Sequence, residues 1–148
     1  MNTPPPMIPD PQRAIDADHL RSLSIGHYVV SGITALFACL PLIHVTMGLL
    51  LVTGNFPASP KPGEPDPAVF GWIFVVFGAL ACVIGWAIAV AMFLVARWLP
   101  LGKNRIFCQI VAGIECLNVP LGTILGVFTL MVLQRPSVRA RFEEKSAG

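Results

Sequence analysis

Glu115 is the residue of this sequence whose position most needs a chemical reason. It lies in the apolar stretch Ile106 to Leu133 and is the only acidic residue in the segments read below as membrane-embedded. A charge at the bilayer centre costs about 2.5 to 3.5 kcal/mol on insertion scales, so such a side chain should face the protein interior or a turn, protonated or paired. Two readings stay open. In one, Glu115 is a proton or cation site, with His44 as a relay. In the other it sits wet and hydrogen-bonded near a turn at Asn118, or locks that turn to His44.

His27 and His44 stand at opposite ends of the first apolar run, and neutral imidazole is a common metal and haem ligand. Seventeen residues of helix separate the two rings by about 25 Å, whereas axial ligands must flank one iron. His19 is the remaining histidine, so no haem is expected, and interfacial hydrogen bonding is the reading for His27. Cys39, Cys82, Cys108 and Cys116 all lie within or beside apolar runs without a CxxC or Cys/His cluster. They read as small buried hydrophobes, and no disulfide, metal or other cofactor is expected. No acid, base and nucleophile form a local constellation, so no catalytic residue is assigned and the chain is not expected to be an enzyme.

The elements that carry these residues follow from composition. The chain has 148 residues, of which 55% are apolar and 12% charged, more apolar surface than one soluble core of that size can hide. Ile25 to Val52 and Ala68 to Ala96 contain no Asp, Glu, Lys or Arg. Each exceeds the roughly 20 helical residues that a bilayer core needs. Spans are therefore placed at about 25–52 and 68–97, with Pro41 kinking the first and freeing the carbonyl of Phe37. Residues 1–14 read as a disordered, proline-rich tail, with Asp10 and Pro11 able to open a short interfacial lead-in helix. The start lacks the basic region of a secretory signal, so no cleavage is expected. His27 and Tyr28 sit where amphipathic rings meet headgroups. The stretch from Asn55 to Pro67 carries five prolines and a net charge of minus one and reads as a stiffened loop.

Arg97, Lys103 and Arg105 follow the second span, and Arg135, Arg139, Arg141 and Lys145 mark the tail. Short basic loops stay in the cytoplasm, so the proline loop faces outward and both termini are expected inside. A single straight helix over 106–133 would be about 42 Å long and would carry the basic tail outside. Splitting it at Asn118-Val119-Pro120 gives two short helices, about 106–118 and 121–134, that form a hairpin and return the tail to the cytoplasm. The expected architecture is an all-α membrane protein of four helices, two long spans and a short hairpin, as one transmembrane domain over 15–142 with a polar tail at 143–148. Gly71, Gly78 and Gly85 recur at a spacing of two helical turns, and Gly122 and Gly126 form a GxxxG extended by Thr129. Both stripes read as close helix packing, with intramolecular packing of the hairpin against the long helices favoured over a homo-oligomer interface. Arg135, Arg139 and Arg141, with Val138 and Phe142 at helical spacing, read as a short lipid-facing helix on anionic headgroups.

Several of these features recur together in one family. His27-Tyr28 opening the first span, Gly71-Trp72 opening the second, the block Pro120 to Thr129 (P-x-G-T-x-L-G-V-x-T) and Arg135-Pro136 resemble a family of small bacterial integral membrane proteins. The resemblance covers most of residues 20 to 142. It implies the topology and a bacterial cytoplasmic membrane, and it implies no reaction type.

The function expected from these features is a non-enzymatic accessory or scaffold component that packs against itself or a larger membrane partner. The alternative is a small oligomeric transporter or channel subunit using Glu115. The formal charge of +2 is too small to argue for nucleic acid, and the lipid bilayer is the one partner the composition requires.

Overall fold

A computed structural model describes residues 11–55, 63, 66–118 and 120–146. Among them the regular structure is entirely helical: α1 Pro11–Phe37, α2 Leu42–Val52, α3 Pro67–Leu101, α4 Arg105–Glu115, α5 Leu121–Leu133 and α6 Pro136–Ser146. The expected count of four helices becomes six among the described residues, because the first span is broken and the tail folds as a helix of its own. Among the same residues two stretches are long and apolar enough to cross a membrane, Pro11–Val52 taken across its break and Pro67–Leu101. Most of the proline loop, and residues 1–10 of the expected disordered tail, lie outside the described residues.

The first helix begins at Pro11, where a proline's fixed φ and missing N–H cost nothing, so residues 11–14 are helix rather than tail. Its end is also set by proline. Pro41 lacks the N–H that would continue the ladder and crowds the preceding turn. The chain answers with tight turns: the Leu40 N–H donates to the Phe37 carbonyl at 3.0 Å and the Leu42 N–H to the Cys39 carbonyl at 3.1 Å. The expected kink with an orphaned Phe37 carbonyl is thus a break between two helices, and that carbonyl is satisfied.

The chain divides into two compact units, one formed by residues up to Val30 together with those from Ala91 onward, the other by Ser31–Val90. In the Ser31–Val90 unit, the glycine stripe of α3 lies against α2 and the turn before it. A Cβ at Gly71 would stand 2.8 Å from the Gly48 carbonyl oxygen, one at Gly78 2.9 Å from a Val45 methyl, and one at Gly85 2.7 Å from the Ala38 Cβ. Real Cβ contacts do not come that close, so the stripe is an intramolecular packing face, as its spacing predicts. The Ser31 hydroxyl donates to the Ala89 carbonyl at 2.9 Å in the same unit.

The other unit holds the first part of α1, the end of α3, and α4 to α6. Along α1, Asp16, Leu20, Ser24 and His27 are buried at helical spacing. The Ser24 hydroxyl donates to the Ala96 carbonyl at 2.6 Å. Helix α3 ends where Gly102 adopts a left-handed φ of 66° and the Lys103 N–H reaches back to the Trp98 carbonyl at 3.2 Å, a Schellman-type termination. Helices α4 and α5 pack as a hairpin whose turn falls at the predicted Asn118–Pro120 break. Their contact is where the expectation needs correcting. A Cβ at Gly122 would meet the Glu115 carbonyl and the Asn118 Cβ, and one at Gly126 would meet the Ala112 carbonyl and the Cys116 sulfur. The GxxxG therefore presses α5 onto α4 itself, rather than onto the long helices. Helix α6 leaves α5 at 77° and buries Val138 and Phe142.

Candidate functional site

The polar residues of three helices converge in the unit formed by the chain's two ends. Helix α1 supplies His27, α4 ends on Glu115, and α5 supplies Thr129. His27 Nδ1 lies 2.9 Å from Glu115 Oε1, and His27 Nε2 lies 3.0 Å from Thr129 Oγ1. The imidazole side chain is 0% exposed and the carboxylate 1%. The other carboxylate oxygen, Glu115 Oε2, is buried without a hydrogen-bond partner.

Local sequence explains why these groups can meet. Thr129 follows Gly126 by one helical turn and lies on the face that Gly122 and Gly126 press against α4. The carbonyl of Glu115 accepts from the Asn118 N–H at 2.8 Å, so the backbone of the last α4 turn is satisfied by the hairpin turn while the side chain is spent on His27. Ser24 precedes His27 by one turn on α1, and its hydroxyl fixes that helix against α3 as described above.

The arrangement can hold a proton without burying a net charge. With an imidazolium, Nδ1 donates to the Glu115 carboxylate and Nε2 to the Thr129 hydroxyl oxygen. With a neutral imidazole, a protonated Glu115 Oε1 donates to Nδ1 and the Nε2–H again donates to Thr129. One proton thus moves across a 2.9 Å contact while the total charge stays zero. That is the charge state a low-dielectric interior tolerates best. Among the described residues, Oε2 is the oxygen of the pair that accepts from no other protein group.

The sequence-predicted residues distribute differently from expectation. His27 is fully buried and paired, not interfacial. Glu115 is buried rather than wet, and its partner is His27 rather than His44. His44 is exposed in the Ser31–Val90 unit, where its ring stacks on Phe74 at 5.9 Å. Asn118 is exposed and serves the hairpin turn through its backbone: its carbonyl accepts from the Thr123 N–H at 3.2 Å. Thr129 was legible only as an extension of the glycine stripe. The signal that could have found the site is the run Ser24, His27, Ser31, a polar line at helical spacing along the charge-free second half of α1.

A second polar cluster ties part of the basic tail to α1. Asp16 on α1 is 2% exposed. It accepts from Arg135 Nη1 at 3.2 Å, from Gln12 Nε2 at 3.3 Å and from the Ser137 hydroxyl. His19 Nδ1 lies 3.2 Å from the same guanidinium nitrogen. Asp16 therefore sits on the N-terminal turn of α6, where the helix dipole favours a negative charge. Burial alone works to raise its carboxyl. The hydrogen bonds from Ser137, Arg135 and Gln12, with the Arg135 charge, outweigh that and hold it below the ordinary value. Arg139 pairs with Glu143 at 2.9 Å, and Arg141 donates to the Pro100 carbonyl at 3.4 Å. Arg135 and Arg141 thus act as a clasp from the tail to α1 and to the end of α3, while Arg139 pairs only within α6 and remains 62% exposed.

Among the described residues the four cysteines are free. Comparison with protein-family models, with curated proteins and with solved structures finds no match to this chain.

Proposed function

We propose that this is a multi-pass protein of a bacterial cytoplasmic membrane whose C-terminal hairpin carries a proton-binding site, and that it acts as a small oligomeric transporter or channel subunit. The observation that carries the reading is the fully buried His27–Glu115 contact with its second carboxylate oxygen left unpartnered. An intramembrane ionisable pair is expensive, and such pairs mark proton relays and ion paths more often than they mark simple packing. In this reading residues 25–52 of α1 and α2 and residues 68–97 of α3 are the long spans, and α4 and α5 the short hairpin between them and the tail. The basic residues at 97–105 and in the tail support a cytoplasmic location for both termini, and the family resemblance supports the bacterial membrane. So small a set of helices needs a second copy to enclose a path.

The test is flux. Purified protein in liposomes with an entrapped pH dye should dissipate an imposed proton gradient, and Glu115→Gln should abolish that flux. Equal flux in the variant, or none above protein-free vesicles for the unaltered chain, removes the transport role.

A second reading, a non-enzymatic accessory component, is favoured by the broad apolar side of α3, on which Phe77, Val83, Trp86 and Val90 are all exposed. Its glycine face is already spent within the chain, so a partner would meet this large-residue side. Crosslinking in native membranes through a photoreactive group at Val83 should capture a discrete partner or dimer. A monodisperse monomer with lipid adducts alone counts against it.

A further inference from the structure

A cavity of about 490 Å³ opens where the end of α3 meets the start of α4 and α6. Trp98, Ile106, Phe107 and Phe142 form its apolar walls, and Arg105, Asn104 and Glu143 its polar rim. Trp98 and Phe107 stand edge to face at 5.1 Å, and Ile106 is 73% exposed, so the walls continue outward as an open apolar surface.

Three observations fix what such a cavity suits. It begins immediately after the charge-free run of α3, at the depth where hydrocarbon gives way to headgroups and where tryptophan is at home. Its neighbourhood is basic: Arg97, Lys103 and Arg105 occur with no acidic residue between them, and the rim carboxylate of Glu143 is already paired with Arg139. The Arg105 guanidinium is also held in place. Its Nε and Nη2 donate to the Leu133 carbonyl at 3.1 and 2.8 Å, which satisfies the C-terminal end of α5 and leaves the Nη1 amine for another acceptor. Asn104 adds a side-chain amide with no capping role, on a backbone in the left-handed region at φ 50°.

We infer that this cavity is a binding site for an anionic phospholipid, with the phosphate on Arg105 and Asn104 and the start of an acyl chain along Trp98, Ile106 and Phe107. A fixed guanidinium offers the planar donor set that phosphate oxygens accept. A zwitterionic lipid brings its own ammonium and gains less from the same rim. The site is separate from the His27–Glu115 pair and stands whether or not that pair moves protons.

Trp98 is the reporter. The full chain with Trp72→Phe and Trp86→Phe is reconstituted in phosphatidylcholine vesicles doped with brominated phosphatidylglycerol or, separately, brominated phosphatidylcholine, and quenching of Trp98 is compared. Phosphatidylglycerol should show roughly a fivefold higher relative association, about what one favourably placed basic residue contributes at a membrane surface. Arg105→Gln should bring the ratio near one, and Lys103→Gln, which alters a nearby charge outside the cavity, should leave it. If Arg105→Gln loses its helical circular dichroism, Asn104→Gly takes its place: it keeps the left-handed backbone and the net charge while removing the amide, and should lower the ratio, whereas an unchanged ratio overturns the site. Equal quenching by both lipids, or equal loss in Lys103→Gln and Arg105→Gln, overturns the site in favour of diffuse surface attraction.

Discussion

Replacing Glu115 by leucine leaves His27 Nδ1 facing hydrocarbon side chains in a place where no water competes for it. Both side chains of the pair are buried to within 1%, so the loss is not softened by solvent. Removing one partner of a buried ion pair costs about 3 to 5 kcal/mol, because the remaining charge stays uncompensated. If the imidazole answers by shedding its proton, the cost is that of an unmade buried hydrogen bond, about 1 to 3 kcal/mol. Glu115→Gln keeps an acceptor for Nδ1 and should fall at the lower end. The combination His27→Leu with Glu115→Leu removes the need for either partner, and should be less destabilised than the two single variants added together. The assay is equilibrium unfolding in mixed micelles, titrated with sodium dodecyl sulfate and followed by far-ultraviolet circular dichroism, arranged as a double-mutant cycle. A coupling of about 2 kcal/mol or more is expected from the 2.9 Å contact. Additivity to within about 0.5 kcal/mol would refute the reasoning, since residues that do not interact add to that accuracy.

Other consequences follow from the same geometry. Gly122→Ala should destabilise the hairpin markedly, because its Cβ would stand 2.5 Å from the Glu115 carbonyl oxygen, whereas Gly113→Ala, with nothing within 4 Å, should be neutral or gain up to about 1 kcal/mol of helix propensity in the same unfolding assay. The clasp on α6 should be acid-sensitive: Asp16 has its carboxyl lowered by folding, so its contribution is fully present above the ordinary carboxylate value of about 3.9 and is lost as the pH falls through the lowered value. The protection of α6 amides, with exchange measured by mass spectrometry and referred to the intrinsic rate at each pH, should fall in the unaltered chain as the pH is taken from about 5 to 2. Asp16→Asn should show the lowered protection already at the higher pH and little further change; an α6 equally protected in both refutes the clasp. A cysteine-reactive tag appended after residue 148 should be labelled only after the membrane is permeabilised, and labelling in intact cells would place the tail outside and make 106–133 a crossing.

The sequence was most readable where physics acts locally. A run without charges, a proline that cannot extend a helix, and glycines at two-turn spacing each act within one element, and the two long helices, the Asn118–Pro120 break and the α3 glycine face all follow from them. Pro41 was legible as a disturbance, but whether it bends or breaks a helix depends on which carbonyls the following residues can reach. The partner of Glu115 was not legible at all by spacing. His27 and His44 are both histidines on the first apolar run, and choosing between them requires the register of α1 against a hairpin that lies 88 residues away in sequence. The basic tail was half legible for a similar reason. Its charges satisfy the positive-inside rule wherever they point, and only the fold reveals that Arg135 is engaged with Asp16.

The glycine pair and the polar site are best understood as one device. Gly122 and Gly126 bring the α5 backbone against the carbonyls of Glu115 and Ala112, and the next residue on that face is Thr129, whose hydroxyl holds the far nitrogen of His27. A hairpin that packed through larger residues would lift Thr129 away from the ring, and the imidazole would then lose the contact that orients Nδ1 toward Glu115. It follows that Gly126→Val should resemble Thr129→Val in its effect on the His27–Glu115 coupling, although valine at 126 touches neither side chain. Repeating the double-mutant cycle in each background measures this directly: coupling reduced in both supports a single device. Coupling preserved in Gly126→Val while the hairpin itself is destabilised means that the packing face and the proton site are independent.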